Sequence, residues 1–246
     1  MDAANDAYYR RTSPGRSDYW KKMAAPRLRA RRLLEELARE EVGSVADLGC
    51  GGGELLSRMA AWKPSLRLCG VDASAAQLAE NRRRHPDRDW LEADLDLPPA
   101  FLPALTGAFD VVIASEVIEH VELPLELLAN ARALARPGGR LLLSTQSGPI
   151  RETERAVGHL RHYSAAEARD LLVRAGWEPL RVWNEGFPFH DLSKRLANIS
   201  PAGALERFGG AEYGPLEDAV CLALRLVFRL NSSSRGAQLF AVARKP

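Results

Sequence analysis

The chain has 246 residues, 46% hydrophobic and 27% charged, a balance that excludes a disordered or collagen-like protein. A formal net charge of +2 gives no general attraction to nucleic acid or to a membrane surface. No apolar run approaches the roughly 18 residues that span a bilayer, the polar start Met1–Asp6 lacks the apolar core of a signal peptide, and three widely spaced cysteines (Cys50, Cys69, Cys221) suit a reducing cytoplasm better than a disulfide framework or a zinc site.

Residues 1–22 are polar, yet Tyr8, Tyr9, Tyr19 and Trp20 lie among the charges, which predicts that the segment packs onto the rest. Leu28, Leu33, Leu34 and Leu37 predict a helix over Pro26–Glu41. Short apolar runs then alternate with helical stretches. Strands are expected at Val45–Leu48, Leu66–Val71, Trp90–Ala93, Asp110–Ala114, Arg140–Thr145, Leu180–Trp183 and Gln238–Ala243. Helices are expected at Leu55–Trp62, Ser74–Arg84 and Leu123–Ala135, and a further one is opened by the capping box Ser164/Glu167 and ended by Gly176. The alternation predicts an α/β fold, a mostly parallel sheet with helices on both faces. About 50 residues separate the last two strands, where a short connection is usual. They hold two helical stretches, near Asp191–Asn198 and Leu216–Leu230. The chain thus divides into an N-terminal helical cap (1–42), a core (43–183), a helical insert read as a lid (184–236) and a last core strand (237–246).

The chemistry gathers at strand ends. Asp47-Leu48-Gly49-Cys50-Gly51-Gly52-Gly53 follows a strand and precedes a helix, where glycines permit positive φ and close approach of a ligand. A dinucleotide loop needs glycine at its first, third and sixth positions; counting from Gly49 the sixth is Glu54, so that match fails and a nicotinamide oxidoreductase is disfavoured. Asp47 at the head of the motif suits a cationic ligand. Asp72 ends the next strand, about 20 residues beyond the glycines, where a carboxylate accepts from both hydroxyls of a ribose. Asp94 ends the third strand, placed to accept from an exocyclic amine of adenine.

Together these segments resemble the class I S-adenosylmethionine-dependent methyltransferases, in particular the small-molecule type that includes the ubiquinone-biosynthesis enzymes. Asp47–Gly53 matches the family's first motif, Asp72 its ribose-binding acid, Glu92-Ala93-Asp94-Leu95 its adenine segment, Phe109–Val121 its fourth motif and Pro137-Gly138-Gly139 its sixth. The resemblance implies a Rossmann-like seven-stranded sheet whose last strand runs antiparallel beside the fifth. It also implies S-adenosylmethionine as cofactor and S-adenosylhomocysteine as product. The implied cofactor-binding set is Asp47, Gly49, Cys50, Gly51, Asp72, Ala73, Asp94, Leu95, Ser115 and Glu116. The expected reaction is methyl transfer to an oxygen, nitrogen or carbon of a small molecule, oxygen first.

An oxygen or nitrogen acceptor must lose a proton, for which histidine is suited near neutral pH. His162, His120 and His190 are the candidates, in that order; His159 shares a loop with His162, and His85 reads as a solvated turn residue. Glu116, Glu119 and His120 could present three ligands on one helical turn. That stretch resembles the metal-binding segment of the small-RNA 3′-end 2′-O-methyltransferases, and equally small-molecule enzymes that use no metal; no metal is assigned. Arg27–Arg32 and Arg82–Arg84 invite a nucleic-acid reading, but Glu35, Glu36, Glu40 and Glu41 interleave, and a solvated ion-paired face is the better account. The alternatives kept open are a metal-dependent RNA 2′-O-methyltransferase and a non-catalytic binding subunit; the partner expected is a small-molecule substrate, and a homodimer is left open as well.

Overall fold

A computed structural model describes residues 17–98, 102–208 and 212–246. Two N-terminal helices, α1 (Ser17–Lys22) and α2 (Ala24–Leu37), lead into β1 (Ser44–Leu48), α3 (Glu54–Trp62), β2 (Arg67–Asp72), α4 (Ala75–Arg84) and β3 (Asp89–Glu92). There follow α5 (Leu102–Leu105), β4 (Phe109–Ser115), α6 (Pro124–Leu134), β5 (Ala135–Gln146), α7 (Glu152–Ala156), α8 (Ala165–Arg174) and β6 (Glu178–Glu185). The insert contains α9 (Phe189–Ala197), α10 (Pro201–Phe208), α11 (Pro215–Val227) and a 3-10 turn, Phe228–Leu230, before β7 (Gln238–Arg244).

The seven strands lie in the order β3-β2-β1-β4-β5-β7-β6. Neighbours are parallel except β7, which runs antiparallel to both β5 and β6. Strand alternation assigns the faces. Ala46, Leu48, Val112 and Ala114 point into one layer with Leu127, Leu128 and Leu172 of α6 and α8. Val45, Val111 and Ile113 point into the other, with Leu33 and Leu37 of α2, Leu56 and Met59 of α3 and Leu78 of α4. The chain leaves β1 toward β2 and leaves β4 toward β5. Their carboxyl ends therefore part at a crevice, the usual ligand position in an open sheet.

Several boundaries differ from expectation. Helix α2 stops at Leu37, before Ala38–Glu41, and so frees the turn that feeds β1. β5 begins at Ala135 because Phe109 pairs with it, ahead of a register shift that absorbs the Pro-Gly-Gly segment. β6 extends to Glu185, so the insert proper starts at Gly186. The short helices α7 and α10 were not foreseen; one turn or two of mixed composition leaves too little periodicity to read. Ser164 caps α8 with Glu167 as expected. Tyr8 and Tyr9 lie outside the described residues. The insert is held to the N-terminal helices by a small core of Ala24, Leu28 and Phe228 with Phe189 and Leu224 around it. The ion pair Lys22–Asp218 at 2.7 Å adds to that junction, and Arg32–Glu185 at 2.9 Å ties α2 to the end of β6.

Candidate active site

One cavity of about 1340 Å³ opens at the carboxyl ends of β1, β2 and β4, and its walls come from three parts of the chain. All ten residues of the expected cofactor set line it, with Tyr19 and Trp20 of α1 and side chains from α9, α10 and α11.

The glycine turn is shaped by its surroundings. Gly49 has φ +71°, and a Cβ there would stand 2.4 Å from Val117. Gly51 has φ +49° and nothing within 4 Å of the Cβ position, so its bare backbone borders open cavity. The carboxylate of Asp72 accepts from Gly51 N at 2.8 Å and from Ser74 N at 2.9 Å, tying the turn to the start of α4. Asn81 donates to Gly51 O at 2.7 Å from below.

Asp47 is 3% exposed and shares this end of the cavity with Asp72. Burial, and then the Asp72 charge, push its carboxyl up to about 8. Asp72 is raised by burial too, against the amides of Ser74, Gly51 and Ala73 that favour its charged form. Two buried carboxylates side by side ask for a cation, and the uncovered turn beside them offers room for it. Asp94 accepts from Asp96 N at 3.0 Å, fixing the Asp94–Leu95 corner, while Leu95 O accepts from Asn130. The Cys50 thiol is buried, and burial holds it protonated.

Glu116 departs from the backbone rule. It has φ +57°, the one non-glycine residue in the left-handed region among those described. The bend turns its carboxylate inward, where it accepts from Ser144 Oγ at 3.0 Å, Gln146 Nε2 at 2.5 Å and Gln238 Nε2 at 2.9 Å. Arg29 of α2 stands 3.7 Å away. Burial disfavours the charge, but Arg29 and the two amides outweigh it and hold the Glu116 carboxyl at about 2. Arg29 is therefore a correction to the sequence reading. It is 6% exposed, turned into the cavity, and not part of a solvated face. Its spacing among arginines and glutamates hid this.

The histidines separate. His120 and His159 line the cavity, their rings 4.7 Å apart and edge to face. His162, the first candidate from sequence, borders a second, open pocket instead; its Nε2 meets His159 Nδ1 at 2.9 Å and its Nδ1 meets Gly148 O at 3.0 Å. His162 therefore stands behind His159, and the loop presents His159 to the cavity. His190 reaches the cavity at the foot of α9 but is 3% exposed, packed edge-on against Phe228, and 3.7 Å from Asp191, too far for a hydrogen bond. His85 caps α4 and packs half-buried against Trp90, so it is less solvated than expected. Burial lowers His120 to about 4 and His159 to about 3, so both rings are neutral at pH 7. Glu119 is fully buried: Oε2 accepts from Thr145 Oγ1 at 2.8 Å, while Oε1 has no hydrogen-bond partner. Burial and the Glu116 charge push its carboxyl well up.

The insert contributes mainly apolar side chains to the lining, Leu196 and Ala197 of α9, Leu205 and Phe208 of α10 and Leu224 of α11, beside Ser193, Lys194 and Arg207, while Trp20 and Met23 come from the N-terminal segment. Lys194 ties this wall to α7 through Glu154 at 2.6 Å and to β5 through Gln146 at 2.8 Å. Among the described residues no helix is long and apolar enough to cross a membrane.

A methyltransferase-domain family profile matches residues 19–182. A probable S-adenosylmethionine-dependent methyltransferase of Mycolicibacterium smegmatis is 32% identical over 178 residues, 68% of this chain and 63% of that one. The ubiquinone biosynthesis O-methyltransferase of Roseobacter denitrificans is 32% identical over 169 residues, 61% of this chain and 64% of that one. The chain thus spans less than two thirds of either relative. Geranyl diphosphate C-methyltransferase of Streptomyces coelicolor, solved with S-adenosyl-L-homocysteine, superposes over the whole of both chains with a TM-score of 0.64 at 16% identity, a likeness of fold alone. With the glycine turn, the paired carboxylates at the strand ends and the antiparallel last strand, these matches establish that the chain belongs to the S-adenosylmethionine-dependent methyltransferase family.

Proposed function

We propose that the chain transfers a methyl group from S-adenosylmethionine to an oxygen of a small, largely apolar molecule. The observation that carries this is the polarity of the cavity along its length. Buried carboxylates and bare glycine backbone line it where the strands end, mainly apolar side chains line it where the insert covers it, and two neutral imidazoles line it as well. The ubiquinone O-methyltransferase among the relatives makes oxygen the first acceptor to try.

Bound at the sheet end, the cofactor supplies a methyl group already activated by sulfonium. Asp47 takes its ammonium, Asp72 its ribose hydroxyls through the lone pairs not used by Gly51 and Ser74, and Asp94 its adenine amine. Trp20 and the insert helices exclude water from the sulfonium and hold the acceptor in line with it. Such alignment can supply on the order of 7–11 kcal/mol. The Glu119–His120–His159 group, at the junction of the two ends, assists loss of the acceptor's proton. A lining rich in apolar side chains favours a small acceptor over an RNA strand, which needs a basic, open track. Three buried cysteines, none in a disulfide, fit a cytoplasmic setting.

Titration calorimetry with S-adenosylmethionine, followed by a screen of hydroxylated aromatic and alicyclic acceptors for release of S-adenosylhomocysteine, tests the proposal. Stoichiometric binding and turnover that rises with acceptor hydrophobicity are expected. Binding with no turnover on any acceptor would favour a non-catalytic binding subunit, and absence of binding would remove the cofactor assignment itself.

A further inference from the structure

Helix α11 and the 3-10 turn that continues it bury one face and leave another bare. Cys221 and Phe228 are buried, Val220 and Leu224 line the cavity, and Leu224 and Val227 pack on the small core of Ala24, Leu28 and Phe228. The other face carries Leu216, Ala219, Leu222, Ala223, Leu226 and Leu230, all of them exposed. The four leucines are 53–70% exposed. From this face we infer that α11 pairs with α11 of a second copy of the chain, antiparallel about a two-fold axis.

Spacing supplies the first argument. Leu216, Ala219, Ala223, Leu226 and Leu230 follow one another at intervals of 3, 4, 3 and 4 residues, the seam by which two helices pack side by side. Residues advance by about 100° each along an α-helix, which gathers the five apolar positions on α11, Leu222 included, within about 120°. Single exposed leucines are ordinary on a protein surface, but a contiguous stripe marks an interface. Alanine at the middle of the stripe lets two helix axes approach closely.

Charge selects the occupant. Glu212 and Asp218 are exposed at the start of the helix, Arg225 and Arg229 at its end. Asp218 is held by Lys22 at 2.7 Å yet keeps 47% of its side chain exposed. Asp218, Arg225 and Arg229 fall on one flank of the stripe, the flank that Leu222 borders. In an antiparallel pair the acidic start of each helix lies beside the basic end of the other, and the helix dipoles oppose favourably; in a parallel pair like charges would meet. A two-fold contact requires a surface complementary to itself, and a reversal of charge about an apolar middle provides one. An anionic lipid surface would instead favour lysine or arginine along the whole rim.

The contact reaches the site through the same helix. Val220 and Leu224 line the cavity, so pairing of the two α11 helices makes each insert a brace for the other. The inference holds whichever acceptor is methylated.

Sedimentation equilibrium of the full chain over a range of concentrations tests it. The mass should rise from 27.1 kDa toward twice that value. Ala223→Glu and Leu226→Glu should each weaken association about tenfold or more. Val173→Glu, at a position of α8 that is 56% exposed, should leave it unchanged. Thermal melts and unaltered S-adenosylhomocysteine affinity establish that each variant is folded. Under mild oxidation Leu222→Cys, at the middle of the face, should link to its own copy, and Leu216→Cys, at the start, should not, because only the middle of an antiparallel pair meets itself. A mass of 27.1 kDa at every concentration, association indifferent to Leu226→Glu, or faster linkage through Leu216→Cys would overturn the pairing. So would a monomer that floats with phosphatidylglycerol vesicles, which would give the face to lipid.

Discussion

The two ends of the cavity are built by opposite means. At the sheet end, carboxylates stand at the ends of successive strands and are fixed by backbone amides: Asp72 by Gly51 and Ser74, Asp94 by Asp96. At the insert end, side chains such as Trp20, Leu205 and Leu224 come from segments nearly 200 residues apart in sequence and line one space, and Leu224 packs on the small core of Ala24, Leu28 and Phe228. The first end can be specified locally by a turn and a strand terminus. The second exists only once the insert has docked on α1 and α2. Such a division suits a protein that holds one ligand of constant chemistry beside a second space whose walls come from the insert helices.

Arg29 bridges the two ends, and removing it should produce the largest effect. Arg29→Met leaves the charged Glu116 with neutral donors only, at a cost of about 3 kcal/mol, the lower end for a broken buried pair. That corresponds to a fall in melting temperature of roughly 6–12 °C. A loss under about 1 kcal/mol, within the range of an exposed pair, would show that α2 is not anchored through Glu116.

Asp72→Asn breaks the sheet end alone. It removes a charged acceptor and leaves either Gly51 N or Ser74 N unpaired, so affinity for S-adenosylhomocysteine should fall tenfold to over a hundredfold in calorimetry. Because the same carboxylate ties the glycine turn to α4, some loss of stability accompanies the effect. Unchanged affinity would mean that another acid holds the ribose.

Leu205→Ala breaks the insert end alone. Loss of about 1–1.5 kcal/mol of apolar contact should raise the acceptor KM about tenfold, with the product Kd constant within about twofold. Equal weakening of both ligands would merge the two ends into one site.

Asp47→Asn sharpens the comparison through pH. The folded carboxyl sits at about 8 against an ordinary 3.8, so the cofactor-free fold binds the proton more tightly than the unfolded chain. Stability from this group is full below about 4 and is lost as pH rises toward 8. The substitution should therefore raise the melting temperature of the cofactor-free protein at pH 8 by a few degrees and leave it unchanged at pH 4. Wild-type cofactor affinity should increase from pH 6 to 8, as the Asp47 proton is lost, and the variant's should not.

The sheet end was legible in the sequence because its requirements are local: glycines where φ is positive, acids where strands stop, and a rhythm of strand and helix that orders them. Which side chains turn into the cavity was not, for identifiable reasons. Arg29 sits in a run of arginines and glutamates whose surface members, Arg31, Arg32 and Glu35, do pair as expected, and periodicity alone does not show which arginine turns inward. His159 and His162 are three apart on one loop, and only the contacts of Gly148 and the second pocket decide which ring faces the cavity. Glu116 and Glu119 occupy adjacent turns of the same short segment, yet a left-handed backbone at Glu116 sends their carboxylates to different partners. Each of these depends on a three-dimensional neighbour that has no fixed spacing along the chain.

The division of the cavity is tested most directly by a crystal structure of the complex with S-adenosylhomocysteine. The account predicts the homocysteine amine at Asp47, the ribose hydroxyls on Asp72 and the adenine at the Asp94–Leu95 corner, with the space bounded by His159, Leu205 and Phe208 left for the acceptor. A product seated among the insert helices, or one whose ribose lies away from Asp72, would contradict it.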